Sequence, residues 1–447
     1  MKSSRIGTKL NQIGWSFIAL LLCQGAGRPV LGAERVFVNY SLFGRSVSVP
    51  ALETFVRDGK LTGDLISYAR FLKPKQLVQL REGLQQKVDF SAIALSQFFY
   101  TPTGELLLGR VSQIIQPPLG RGSLYALRSA LIQAANDPDG LTPLSFLRNY
   151  PNPQVIINLE EGIGVVREVN RWVKQTETVS QAIQIAAAKT AETTPLSASQ
   201  VGHLMALQQP GPQRWQKLIL DLQDASKKRV QYTRRVRKFA ADVYLPMAEQ
   251  PHPVVLISHG LNSDRQSYAY LAEYLASYGF AVVVPEHPGS SKQQIQALID
   301  GRAGDVAEPS EFLDRPLDIQ FVLDSLQGLS QEDARFRDRL NLQQVGLIGQ
   351  SFGGYTALVS AGAPLELEGL KQQCNKRLNS TLNLSLILKC QALRLPVAPY
   401  RLADSRIKAA IAVNPIISGL LGPTSLEQIQ VPVMVVAGSA DVIATAL

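Results

Sequence analysis

Residues 345–360 read VGLIGQSFGGYTALVS, and this stretch decides the fold. Val345 to Ile348 is a continuous apolar run, as a strand buried on both faces requires. Gly349-Gln350-Ser351-Phe352-Gly353 follows at once, and Tyr355 to Ser360 reads as helix. So tight a strand-to-helix turn forces its central residue into strained backbone angles. Small residues two positions either side let neighbouring segments approach closely. The Ser351 hydroxyl is then displayed above the strand end, at the positive end of a helix. The pattern in this context predicts a nucleophilic serine.

Working upstream, Val254 to Ile257 (VVLI) and Phe280 to Val284 (FAVVV) are further apolar strands, with a helix from Tyr268 to Ser277 between them. Phe239 to Leu245 is a strand, and Leu317 to Leu326 a helix. Downstream, Ile407 to Val413 and Val433 to Val436 are two more strands. Alternation of this kind predicts an α/β fold, a doubly wound and mostly parallel sheet, over residues 214–447. Residues 363–404 interrupt it as a lid-like insertion holding Cys374, Cys390 and the apolar run Leu382 to Leu388. Ser258-His259-Gly260-Leu261 stands at the end of the VVLI strand. Acyl transfer needs donors aimed at a developing oxyanion. The amides of Leu261 and Phe352 are the expected pair, with His259 read as shaping the loop.

The run SHGLNSDRQSYAYLAEYLASYGFAVVVPEHPGSS, with GQSFGG downstream, resembles the α/β-hydrolase superfamily. Its nearest branch is similar to platelet-activating-factor acetylhydrolase-like and dienelactone-hydrolase-like esterases. The resemblance covers about residues 235–441 and implies Ser351 as nucleophile, with Leu261 and Phe352 forming the oxyanion hole. His287 matches a position with a structural role. The acid of acetylhydrolase-like relatives falls at Asn414, an amide that cannot stabilise an imidazolium. The next strand leads into Gly438-Ser439-Ala440-Asp441, which resembles the acid loop of dienelactone-hydrolase-like enzymes, so Asp441 is the expected acid. The superfamily order is serine, acid, histidine. All four histidines, His203, His252, His259 and His287, precede Ser351. The expectation is a C-terminally incomplete chain whose native form continues past Leu447 and carries the histidine.

Residues 34–195 read as a mainly helical accessory domain, with short strands at Arg35 to Tyr40 and Val155 to Leu159, and no spacing that suggests a site. This region resembles an uncharacterised helical domain found in front of such hydrolases in some bacteria. Residues 196–213, with Gln208-Gln209-Pro210-Gly211-Pro212, form a linker. Lys227, Lys228, Arg229, Arg234, Arg235, Arg237 and Lys238 then make a basic run, read as the solvated face of a strand pair.

The start is read as an address. Lys2, Arg5 and Lys9 precede IGWSFIALLLC (Ile13 to Cys23), shorter than the roughly 20 apolar residues of a spanning helix. Residues 1–33 are therefore a secretory signal, with an uncleaved membrane anchor as the alternative. Cleavage leaves Cys374 and Cys390 to pair in an oxidising compartment. Hydrophobic residues at 45% and charged residues at 18% exclude a disordered chain. A net charge of +9 leaves peripheral membrane contact open, while export argues against nucleic acid. No metal-ligand spacing, phosphate loop or dinucleotide fingerprint is found, so no metal or cofactor is expected. The reading is a secreted serine hydrolase acting on small-molecule or lipid carboxylic esters. The alternatives are a peptidase or polymer hydrolase on the same fold, and a non-catalytic module that uses the fold for binding.

Overall fold

The computed structural model describes residues 32–438, apart from 42, 119–121, 195–196 and 378–381. The expected signal, but for Gly32 and Ala33, lies outside the described residues, and so does Asp441.

The chain divides into two compact units. One comprises residues up to Ala92 together with Ser112–Glu160. Its centre is a four-stranded sheet of β1 (Arg35–Tyr40), β2 (Phe43–Ser48), β3 (Ile115–Gln116) and β4 (Gln154–Asn158), in the order β2-β1-β4-β3. Local capping sets where its helices begin. Ser48 Oγ accepts the Ala51 amide at 3.3 Å at the start of Val49–Asp58. Thr142 and Ser145 exchange side-chain and amide bonds of 2.8 and 2.9 Å at the start of Pro143–Arg148.

The second unit joins Ile93–Val111 to Glu161–Leu447. The helix Pro102–Ile114 begins in this unit, where the Gln391 side chain donates to Thr103 Oγ1 at 3.3 Å. The sequence does not announce that grouping, because Thr103 and Gln391 are far apart in the chain. Its described residues hold seven strands: β5 (Trp215–Asp224), β6 (Arg237–Pro246), β7 (His252–Ser258), β8 (Ala281–Pro285), β9 (Leu340–Gln350), β10 (Ile407–Val413) and β11 (Val433–Val436). Their order is β11-β10-β9-β7-β8-β6-β5. β7 to β11 run parallel, and β6 pairs antiparallel with both β8 and β5. This is the expected doubly wound, mostly parallel sheet, with β5 added at one edge.

Both faces of the central strands are covered, as their apolar runs demand, whereas Val433 to Val436 of the edge strand β11 are exposed. Val254 and Leu256 point to one side and pack with Ile319, Val322 and Leu326. Val255 and Ile257 point to the other and pack with Ala272 and Ala276. Each such buried side chain contributes on the order of 1.5–3 kcal/mol. From β7 the chain goes to β8 on one side and then to β9 on the other, which makes a switch point between β7 and β9. Open α/β sheets bind ligands there, outside the carboxyl ends of the strands. Ser258 pairs with Gly349 in register, so the loops after β7 and β9 start side by side.

The basic run departs from its reading as a solvated strand face. Residues Lys227–Thr233 form a helix, and Arg229 is completely buried. Its guanidinium reaches Asp224 at 2.8 Å and Asp314 and Asp318 at 2.6 Å each. Arg237, also buried, pairs with Glu311 at 2.7 Å and Asp318 at 3.0 Å. Buried charges persist only when paired and hydrogen-bonded, and these partners, apart from Asp224 at the end of β5, come from the helix Glu311–Glu332. Within the insertion, Cys374 on the helix Leu367–Arg377 is disulfide-bonded to Cys390 on the helix Leu384–Cys390, with Cα atoms 6.0 Å apart.

Candidate active site

Ser351 lies between β9 and the helix Phe352–Ser360, with φ 55° and ψ −112°. A non-glycine residue in that region costs of order 1–3 kcal/mol and persists only where its surroundings enforce it. Its amide donates to Val413 O at 2.8 Å, and its carbonyl accepts from Tyr355 N at 3.1 Å. The two glycines of the motif make the turn sterically possible. A Cβ on Gly349 would collide with the carbonyl of Gly353, and one on Gly353 with the carbonyl of Ser258. The second contact brings the start of the helix against the end of β7. Six described non-glycine residues have positive φ, and three cluster here: Ser351, Asn262 and Asn414.

The first amides of a helix have no intrahelical acceptor. The Phe352 amide is one of these, and neither it nor the Leu261 amide donates to any described residue. The Phe352 ring is buried between Phe312 and Tyr355, with centroids 4.8 and 5.7 Å away. Gln350, within the turn, accepts from Tyr268 Oη at 3.1 Å. The site therefore offers an alkoxyl donor and two unpaired amides at the ends of adjacent strands. Such a set can form and stabilise a tetrahedral adduct at a carbonyl.

The histidines are committed elsewhere. His287 is fully buried, with Nδ1 at 2.8 Å from Asp318 Oδ2 and Nε2 at 3.0 Å from Ser258 Oγ. His259 Nε2 accepts the His287 amide at 3.0 Å, so its Nδ1–H donates to Gly260 O at 2.8 Å. Burial, aided by the Arg315 charge, pushes both imidazoles well below the usual histidine range, and they are neutral. His252 uses both ring nitrogens on the carbonyls of Gly279 and Ala248. His203 is exposed on the helix Ala198–Ala206. None of the four is hydrogen-bonded to Ser351.

Asn414 has a use the sequence did not disclose. Its amide donates to Val436 O at 2.7 Å, and its Oδ1 accepts the Gly438 amide at 2.7 Å. It ties down the backbone that leads toward Asp441. A second unforeseen residue is Lys389, buried in the insertion. Its ammonium is held by the Ser418 carbonyl at 2.8 Å, and burial pulls its pKa down to about 8. The signal was visible as one lysine in the run LSLILKC. Among the described residues no group of three or more His, Cys, Asp or Glu side chains is placed to hold a metal, and no helix is long and apolar enough to cross a membrane.

Two known families match the chain. Residues 32–158 match a family described as alpha/beta hydrolase of unknown function (DUF1400). Residues 249–369 match the family described as serine aminopeptidase, S33, and this span contains Leu261, Ser351 and Phe352. The parallel sheet, the strained serine at the end of β9 and these two matches lead to one conclusion: the chain belongs to the α/β-hydrolase superfamily.

Proposed function

We propose that this hydrolase cleaves carboxylic esters through an acyl intermediate on Ser351. The observation that carries the reading is the conformation of Ser351, held at positive φ beside two amides that donate to no described residue. The Ser351 oxygen attacks the ester carbonyl, and the Leu261 and Phe352 amides receive the oxyanion. The alcohol departs, and water then releases the acid from the acyl-enzyme. Asp441 is the proposed acid. The proposed substrates are small-molecule or lipid esters, with the insertion of residues 363–404 forming a wall of the pocket. Export to an oxidising compartment is part of the proposal, and the Cys374–Cys390 disulfide is consistent with it.

The match to a serine aminopeptidase family makes amides the natural competing substrates. The test is hydrolysis of a panel of aryl esters, triglycerides and aminoacyl amides by the full-length protein. It is combined with labelling by a fluorophosphonate and mass-spectrometric location of the adduct. The reading expects ester turnover and an adduct on Ser351. Amide turnover without ester turnover would replace it with a peptidase.

A second reading, a non-catalytic binding module, is favoured by one observation. No described imidazole is hydrogen-bonded to Ser351, and a serine without a base is a poor nucleophile. Absence of both labelling and turnover in the full-length protein would establish it.

A further inference from the structure

Arg315 is completely buried on the helix Glu311–Glu332, yet it does not behave like the other buried arginines. Arg229 and Arg237 donate to carboxylates at hydrogen-bonding distance. Among the described residues one carboxylate lies within 4 Å of Arg315, that of Glu311, at 3.6 Å from Nε. Its hydrogen bonds go to neutral oxygens. Nη1 donates to His259 O at 2.6 Å, Nη2 to Gly260 O at 3.4 Å, and Nε to Ser290 Oγ at 2.9 Å. The guanidinium carbon also lies over the Phe352 ring, 4.5 Å from its centroid.

The Gly260 carbonyl belongs to the same peptide unit as the Leu261 amide. In a trans peptide the C=O and N–H point in opposite directions, and the described residues contain no cis bond. Gripping the Gly260 oxygen from below therefore aims the Leu261 N–H outward. His259 Nδ1–H grips the same oxygen at 2.8 Å. Donation to the carbonyl also polarises the peptide and strengthens its N–H as a donor. The other half of the pair, the Phe352 amide, is one residue from Ser351 and shares its backbone with the ring under Arg315.

The helix that carries Arg315 is itself tied to the nucleophile. Pro316 lies inside it and has no N–H, so the carbonyl of Phe312, four residues back, loses its helical donor. Tyr355 Oη, from the helix after Ser351, donates to that carbonyl at 2.7 Å. One helical turn thus holds both segments.

We propose that Arg315 is the positioning residue of the oxyanion hole, fixing the Leu261 and Phe352 amides relative to each other through the Gly260 carbonyl and the Phe352 ring. The inference rests on the reading of Ser351 as nucleophile. Burial pulls the Arg315 pKa down to about 10, so the guanidinium remains charged at neutral pH.

The experiment compares wild type, Arg315→Met, Arg315→Lys and Ser351→Ala in the full-length protein, with steady-state ester hydrolysis, thermal unfolding and inhibition by a trifluoromethyl ketone. A misplaced oxyanion donor costs the transition state and spares the ground state. Arg315→Met is expected to lower kcat about 30- to 100-fold with KM within about twofold. Its affinity for the ketone, whose adduct is an oxyanion, should fall in parallel with kcat/KM. Arg315→Lys, which keeps the charge on a single donor nitrogen, should recover part of the loss. Folded Arg315 variants with wild-type kcat would overturn the proposal. So would failure of both variants to fold, since Arg315 would then serve the fold alone. If Ser351→Ala keeps full activity, the reading of Ser351 fails instead, and that outcome is separate from any result at Arg315.

Discussion

Ser351 and Ser258 sit at the carboxyl ends of neighbouring strands, and only Ser258 has a complete triad of hydrogen bonds. Its hydroxyl is 3.0 Å from His287 Nε2, and His287 Nδ1 is 2.8 Å from Asp318. By connectivity alone it would be taken for the nucleophile. All three side chains are fully buried, however, and Ser258 ends an ordinary strand with no positive φ. Ser351 is half-buried, strained, and flanked by amides that donate to no described residue. Catalysis needs a place for the reacting atom near both nucleophile and donors, which the fully buried Ser258 hydroxyl lacks. The buried chain has another use. His287 donates through its amide to His259, which grips the Gly260 carbonyl behind Leu261. A set of residues with triad bonding is here the foundation under the site.

Exchanging the two serines for alanine breaks the comparison most directly. Ser351→Ala in the full-length protein should lose on the order of 10⁴–10⁶ in turnover with an unchanged fold. Ser258→Ala should stay within about threefold in kcat, because Ser258 touches no substrate. It should instead lose about 1–3 kcal/mol of stability, the usual cost of a buried polar group left without its partner. The reverse pattern would make the buried chain the catalytic one. The measurement is a paired set of initial rates and denaturant midpoints.

Asp318 sharpens the same contrast at smaller scale. It receives Arg229 at 2.6 Å, Arg237 at 3.0 Å and His287 at 2.8 Å, all within the buried network. Asp318→Asn keeps the shape and removes the charge, which leaves buried guanidinium groups short of a counter-ion. Removing one partner of a buried pair costs about 3–5 kcal/mol. A loss of about 3 kcal/mol is expected in urea unfolding, since Asp224, Asp314 and Glu311 still serve the two arginines. A variant as stable as wild type would show that the network is not needed under the site.

What could be read beforehand follows from how local each signal is. The elbow is written in adjacent residues, because Gly349 and Ser351 answer to constraints within one turn, while Gly353 answers to the end of the neighbouring strand β7. The strands β7, β8 and β10 are legible as apolar runs bounded by turn residues. β5 is not legible as a buried run, since Lys217 and Asp221 leave only Leu218-Ile219-Leu220 contiguous, and Ile219 breaks the alternation that marks a half-buried strand. The basic run was misread because its counter-ions are remote. Asp314 and Asp318 stand 85 and 89 residues beyond Arg229. Charge content shows a surplus, but only the tertiary fold shows which arginines are inside. Arg315 was invisible for the same reason, as its acceptors are backbone carbonyls more than fifty residues earlier.

The smallest effect concerns protonation, and its sign separates a buried imidazole from a catalytic one. A catalytic histidine exchanges its proton near neutrality. His259 and His287 are held well below the ordinary histidine range by burial and by the Arg315 charge. The unfolded chain binds a proton at each near pH 6.5. Below that pH the unfolded state therefore takes up protons that the native state refuses, and stability falls as pH falls. The contribution is intact above about pH 6.5 and is lost at up to about 1.4 kcal/mol per pH unit for each group. Glu286 and Asp318, raised by burial, act in the opposite sense at lower pH and mask part of the slope. The difference between wild type and His287→Gln removes that background. The variant should be less stable at pH 7, and its stability should decline less steeply than that of wild type between pH 6.5 and 5. Parallel curves would mean that His287 titrates alike in both states. An imidazole NMR signal of His287 that titrated near pH 7 in the folded protein would go further, placing a mobile proton in the buried chain and erasing the distinction between the two serines.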